Sequence, residues 1–178
     1  AARYTEQDSP APLDPYGVSK LEAEEILKKI AVQTGLQVVI IRPPLVYGPG
    51  VKANFCRLMG IVARGLPLPF SSVNNARSLV YLGNLIDAVS LCATHPLAAG
   101  QTFLIRDGED VSTPELIRRI AMALGCPVRL FPFPQGLIRL AGSLTGRTDA
   151  VDRLLGSLAV DDSKIRKDLG KCLRYEST

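Results

Sequence analysis

Short apolar runs alternate along the chain with longer stretches whose apolar residues recur at helical spacing. Asp14 followed by Pro15 supplies an N-cap and a first helical residue, and Gly35 supplies a stop, so a helix is predicted from 15 to about 34. Gln37-Val38-Val39-Ile40-Ile41-Arg42 is β-branched and nearly continuous in apolar character. That is the pattern of a strand buried on both faces of a parallel sheet, and Pro43-Pro44 ends it. Beyond Gly50 the pattern predicts a helix over 53–64, a strand over 77–82, a helix over 84–94 and a strand over 101–106. Ser112 and Glu115 form a capping-box pair ahead of Leu116, Ile117 and Ile120, which predicts another helix. A strand over 128–131 and helices over 136–146, 150–156 and 162–169 complete the reading. Strands alternating with helices predict an α/β fold.

With 178 residues, 47% hydrophobic and 21% charged, the chain has material for a core and a small lobe. The net charge of +4 is spread along the chain and not gathered in a block with stacking aromatics, so nucleic acid is not an expected partner. Cys56, Cys92, Cys126 and Cys172 are widely spaced and His95 is the sole histidine, so no metal site is expected, only reduced thiols of a cytoplasmic protein. Arg42 and Asp87 interrupt the best apolar runs, short of the ~20 residues that span a bilayer. Residues 134–155 carry Leu137, Ile138, Leu140, Leu144, Leu154 and Leu155 beside Arg139, Arg147 and Arg153. They read as a lid or core helix over a ligand site in preference to a membrane-surface helix pair, and no membrane partner is expected.

At about 100° per residue, Tyr16, Lys20, Ala23, Leu27 and Ile30 fall on one face of the first helix, with Glu22, Glu25, Lys28 and Lys29 opposite. Lys20 is thus expected on the inward stripe, where a lysine serving only solubility would not sit. A phenol ordinarily titrates near about 10, and an ammonium one turn away, with the positive end of the helix dipole, favours its anion. Tyr-x-x-x-Lys at a helix start is a proton-transfer arrangement. It is also compatible with an ordinary amphipathic helix.

The run Asp14-Pro15-Tyr16-Gly17-Val18-Ser19-Lys20-Leu21-Glu22-Ala23-Glu24 resembles the active-site helix of the NAD-dependent epimerase/dehydratase family of sugar-nucleotide enzymes. The likeness continues in family order through Arg42-Pro43-Pro44-Leu45-Val46-Tyr47-Gly48-Pro49-Gly50, Arg77 to Tyr81, Asp107-Gly108-Glu109 and Asp162-Ser163-Lys164. The resemblance implies the C-terminal part of a Rossmann-type parallel sheet plus a small mixed α/β substrate-binding lobe. Residues 1–50 are then the remnant of the dinucleotide domain, and 51–178 mainly the lobe, with some segments returning to the sheet.

By the same resemblance Tyr16 exchanges the sugar hydroxyl proton and Lys20 holds the nicotinamide ribose. The backbone at Pro43 touches the nicotinamide amide, and Asn54, the strip Leu68 to Phe70, and Arg77 grip the nucleoside diphosphate. Arg suits that task because its fork donates two parallel hydrogen bonds. Asn54 is equally readable as a helix cap, and Phe70 as core. Leu45, Ser78, Asn84 and Lys171 depart from common family residues, which leaves the sugar preference open.

No glycine-rich phosphate loop occurs in the sequence, so the chain is expected to be a fragment that neither binds dinucleotide tightly nor turns over alone. The implied parent enzyme is a 4-epimerase acting on a nucleoside-diphosphate sugar with NAD, or with NADP as the alternative. A 4-ketosugar reductase, a dehydratase and a non-catalytic nucleotide-sensing relative remain open. A homodimer is expected in the parent, with Val18, Leu21 and Glu25 of the first helix facing the partner copy.

Overall fold

A computed structural model of the chain describes residues 3–12, 14–50, 54–146 and 148–170. Arg147, Lys171 and Cys172 lie outside them. The elements are α1 (Pro15–Thr34), β1 (Ile40–Arg42), β2 (Leu45–Tyr47), α2 (Asn54–Ala63), β3 (Arg77–Tyr81) and α3 (Leu82–Thr94). There follow β4 (Thr102–Leu104), β5 (Asp110–Val111), α4 (Thr113–Ala123), α5 (Gln135–Leu144), α6 (Thr148–Leu155) and α7 (Ser163–Leu169).

Local chemistry sets the helix ends as the sequence predicts. The Asp14 side chain accepts from Gly17 N at 2.6 Å, and Gly35, in the left-handed region at φ 75°, donates its N–H to Ala31 O. Ser112 accepts from Glu115 N at the start of α4. The strands depart further from expectation. β1 lies parallel to β4, with Ile40 opposite Thr102 and Arg42 opposite Leu104. Only Ile40 of β1 is buried, because a single strand flanks it among the described residues, so the expected strand buried on both faces is not seen. β2 and β5 were not predicted; β2 runs parallel to β3, and β5 antiparallel to it. The strand expected over 128–131 is one bridge, Leu130 to Leu68, because Pro127 and Pro132 bracket it and cannot donate to a ladder.

Two cores form. Val80, Ala88, Phe103, Ile105, Ile165 and Leu169 pack between the strands, α3 and α7. Leu58, Val62, Phe70, Ile117, Ile120, Ile138 and Leu155 bring α2, α4, α5 and α6 together. Buried polar groups tie segments distant in sequence. Asn75 donates to Thr113 Oγ1, Leu154 O and Gly156 O and accepts from Thr113 N, all within 3.1 Å. Arg106 pairs with Asp162, which also takes Arg166, so the Asp162-Ser163-Lys164 motif seats α7. Lys164 adds a hydrogen bond to Thr102 O and a seat over the Phe103 ring.

One expected helix orientation is corrected. No residue of α1 is buried, and its half-buried positions are Gly17, Leu21, Glu24 and Ala31, about a quarter turn from the Tyr16–Ile30 stripe. The reason is where its contacts lie: a Cβ on Gly17 would stand 2.9 Å from Pro12 Cβ, and Glu24 is bonded to Arg42. α5 joins the helical core through Ile138. It packs on α6 through Ile138 and Gly142, where a Cβ would stand 2.8 Å from Val151 Cγ2. Its opposite apolar residues stay outside.

Candidate active site

The N-terminus of α1 forms one wall of a cleft of about 380 Å³. Gly17, Lys20, Leu21 and Glu24 supply that wall, Arg42, Pro43 and Pro44 follow from the end of β1, and Tyr4 to Pro12 contribute the loop opposite. The wall is possible because Asp14 caps the helix and Pro15 starts it, so Tyr16 and Lys20 leave the first two turns one above the other. The Lys20 ammonium lies 5.4 Å from the centroid of the Tyr16 ring, within cation–π range. Tyr16 is 71% exposed, and no carboxylate pairs with Lys20 among the described residues. Lys20 and Pro43, separated in sequence, thus meet in one cleft, while the exposed Tyr16 is not among its lining residues.

Two ion pairs hold this region. Arg42 grips Glu24 through Nε at 2.9 Å and Nη2 at 2.6 Å, which raises the Arg42 pKa further. Asp14 takes Arg153 Nη2 at 2.5 Å, and its carboxyl is held below the ordinary range, first by the Gly17 N–H and then by Arg153. Neither pair was legible in sequence, although Glu24 and Arg42 stand inside the motifs quoted above. Leu21, expected to face a partner copy, lines the cleft; Val18 and Glu25 are exposed.

The residues expected to grip the substrate lie apart from the cleft lining. Asn54 opens α2, but its side chain lies outside the described residues. Leu68 is half-buried on its bridge to Leu130, and Phe70 is buried in the helical core. Arg77 opens β3 and donates through Nη1 to Arg153 O and Gly156 O at the end of α6. Burial, then neighbouring Arg153, pulls the Arg77 guanidinium below its usual range. Among the described residues its partners are carbonyls and not carboxylates, so its positive charge is not neutralised.

A third constellation was only partly anticipated. Asp107 is buried and accepts from Tyr47 Oη at 2.8 Å, Tyr81 N at 3.0 Å and Asn84 Nδ2 at 2.7 Å. Burial, then the bond to Asp107, pushes the Tyr47 phenol well above the usual range, so it is no proton carrier at neutral pH. Gly48 follows at φ 135°, where a Cβ would meet the Tyr81 ring at 3.1 Å.

Residues 1–105 match the family model described as NAD dependent epimerase/dehydratase family. The chain belongs to this family. Its C-terminal residues are covered by relatives too: a UDP-glucose 4-epimerase of Vibrio cholerae is 50% identical over 168 residues, 94% of this chain and 51% of its own length. An N-acetyl-α-D-glucosaminyl-diphospho-ditrans,octacis-undecaprenol 4-epimerase of Escherichia coli O157:H7 is 25% identical over 79% of this chain and 45% of its own. The chain spans about half the length of the curated relatives it matches.

Solved epimerase and dehydratase structures show the same fold. A UDP-glucuronic acid 4-epimerase from Bacillus cereus, in complex with NAD, superposes with a TM-score of 0.74 at 21% identity, covering 99% of this chain and 52% of its own. A dTDP-glucose 4,6-dehydratase from Streptomyces venezuelae with NAD bound gives 0.73 at 22% identity, with 99% and 51% covered. The α/β architecture, with its parallel pairs, is therefore the Rossmann-like one of epimerase and dehydratase neighbours.

Proposed function

We propose that the chain carries the proton-transfer residue and the sugar-nucleotide lobe of an NAD-dependent enzyme that epimerises a UDP-hexose at C4 through a 4-keto intermediate. The observation that carries this reading is that Lys20, whose ammonium lies over the Tyr16 ring, lines the same cleft as Pro43. The relative at 50% identity, a UDP-glucose 4-epimerase, favours epimerisation over reduction or dehydration.

The residues fit the nicotinamide-ribose end of NAD. Lys20 offers three N–H donors and pairs with no carboxylate among the described residues, and Pro43 lines the same cleft. NAD, when bound, supplies the acceptor for the hydride that leaves C4. Tyr16 accepts the C4 hydroxyl proton at Oη and later returns it. The Lys20 charge stands where it stabilises negative charge developing on that oxygen.

On the lobe, Arg77, which has no carboxylate partner among the described residues, meets the diphosphate, Leu68 lines the nucleoside side with Phe70 backing it from the core, and Asn54, at the start of α2, is the third residue assigned to the nucleotide. As the 178 residues contain no glycine-rich loop, the isolated chain is proposed to hold dinucleotide weakly and to be inactive without further sequence. The test incubates full-length protein with UDP-glucose or UDP-N-acetylglucosamine and follows the anomeric signals by NMR. Appearance of the C4 epimer is expected. No turnover of any UDP-hexose, or consumption only with added NADPH and a 4-ketosugar, would overturn the reading.

A further inference from the structure

Lys20 and Glu24 stand four residues apart on α1, a spacing at which an ammonium and a carboxylate share one helix face and ordinarily pair. Both line the cleft. The ion pair that forms is a different one: the Lys20 ammonium lies over the Tyr16 ring, and both Glu24 oxygens are turned to Arg42. Arg42 Nε donates to Oε1 at 2.9 Å and to Oε2 at 3.2 Å, and Nη2 donates to Oε2 at 2.6 Å.

Arg42 can hold that carboxylate because of where it stands. It ends β1, next to Pro43, and lies opposite Leu104 in the parallel pair. The half-buried Glu6 accepts from Leu104 N at 2.8 Å and adds its charge to that of Glu24 around Arg42. The Arg42 and Glu24 side chains are 24% and 18% exposed, so water competes little for either. A guanidinium fork takes both carboxylate oxygens at once, which the point charge of an ammonium cannot do. Arg42 thus outcompetes Lys20 for Glu24, although Lys20 is the nearer in sequence.

We propose that Arg42 is a positioning residue that keeps Glu24 away from Lys20 and so leaves the ammonium to Tyr16 and to the nicotinamide ribose. It acts through Glu24 and touches no reacting atom. The inference rests on the roles given above to Tyr16 and Lys20, and it carries a definite sign. With Arg42 removed, the Glu24 carboxylate turns to Lys20 and is harmful, so removing its charge as well is beneficial. If the pair only fastened α1 to β1, breaking it from either side would act alike on Lys20.

Full-length protein carrying Arg42→Met, Glu24→Gln or both tests this at temperatures well below unfolding. Reductive methylation followed by peptide mapping reads the Lys20 amine without cofactor. It should slow in Arg42→Met, where Glu24 holds the ammonium protonated, and return towards the wild-type rate when Glu24→Gln is added. By calorimetry, NAD affinity should fall by roughly three- to tenfold in Arg42→Met, and the double variant should recover about twofold or more, the least that an ion pair of this spacing gives. Turnover number with UDP-glucose should follow the same order, with KM little moved. If Arg42→Met does not fold, Arg42→Lys, which lacks the fork, puts the same comparison to the test with and without Glu24→Gln. Equal Lys20 labelling in Arg42→Met and the double variant would overturn the inference. Labelling that responds as expected in a protein that binds no NAD would overturn the proposed function, and with it the purpose given to Arg42.

Discussion

The Asn84 carboxamide donates to the Asp107 carboxylate at 2.7 Å, with both side chains shut away from solvent. The geometry shows why an amide and not an acid suits position 84. Tyr47, Tyr81 N and Asn84 converge on one carboxylate, and a second carboxylate at 84 would put two like charges in contact without water.

Asn84→Asp should therefore destabilise the fold by about 3–5 kcal/mol at neutral pH, the scale of an uncompensated buried charge. One of the variant's two carboxyls must take up a proton, and a carboxyl whose folded pKa is raised gives stability at low pH that is lost as pH rises. Melting temperatures should approach wild type near pH 5 and fall by pH 8. The swap Asn84→Asp/Asp107→Asn should recover much of the loss, and failure of both results would show that the contact is incidental.

Tyr16→Phe keeps the ring over which Lys20 sits and removes only the hydroxyl. Turnover of full-length enzyme is expected to fall by about 10² to 10⁴, the usual loss with an acid–base group, while sugar-nucleotide affinity measured by calorimetry stays near wild type. Near-normal turnover would remove Tyr16 from the mechanism.

Arg77 does two jobs in this reading, and its variants separate them. Arg77→Ala removes a donor from the Arg153 carbonyl, while the Gly156 carbonyl keeps Asn75, and should cost about 1–3 kcal/mol of stability for the group left unsatisfied. Lys restores a charge but not a fork, so Arg77→Lys should regain stability and only part of the affinity for UDP. If UDP affinity is unchanged in both, Arg77 serves structure alone.

The Tyr47 phenol should be silent in a spectrophotometric titration through the range where free tyrosine ionises, about pH 10. Its folded pKa is raised, so its contribution to stability is complete below the unfolded value and is lost as pH climbs through the folded one. Tyr47→Phe should leave the tyrosinate absorbance up to that range unchanged, and a lost tyrosinate signal there would contradict the buried bond to Asp107.

Much of the fold was legible where a local signal is strong. Asp14, Pro15 and Gly35 bound α1 correctly, and Ser112 with Glu115 opened α4, because caps act within one turn. β2 and β5 were missed because two or three residues carry no period of their own, and Leu45–Tyr47 is a strand only through pairing with Leu79–Tyr81. Tyr16, Lys20 and Pro43 were singled out from spacing and resemblance, and the fold sets Lys20 and Pro43 in one cleft. Glu24–Arg42, Asp14–Arg153 and the donors to Asp107 join residues far apart in sequence, and only the fold brings them together. The inward stripe on α1 misled because period reveals which residues share a face, not which face meets the chain.

The exposed state of α1 bears on how it is held. With no buried side chain, this helix of 20 residues is fastened by charge, Asp14 to Arg153 at its start and Glu24 to Arg42 midway, with the Pro12–Gly17 contact between. Such clasps weaken with ionic strength while hydrophobic cores do not. Amide hydrogen exchange should report α1 opening separately from the rest, faster at high salt, with the strands flanking Phe103 unmoved. That result would mark the segment bearing Tyr16 as a wall latched by charge.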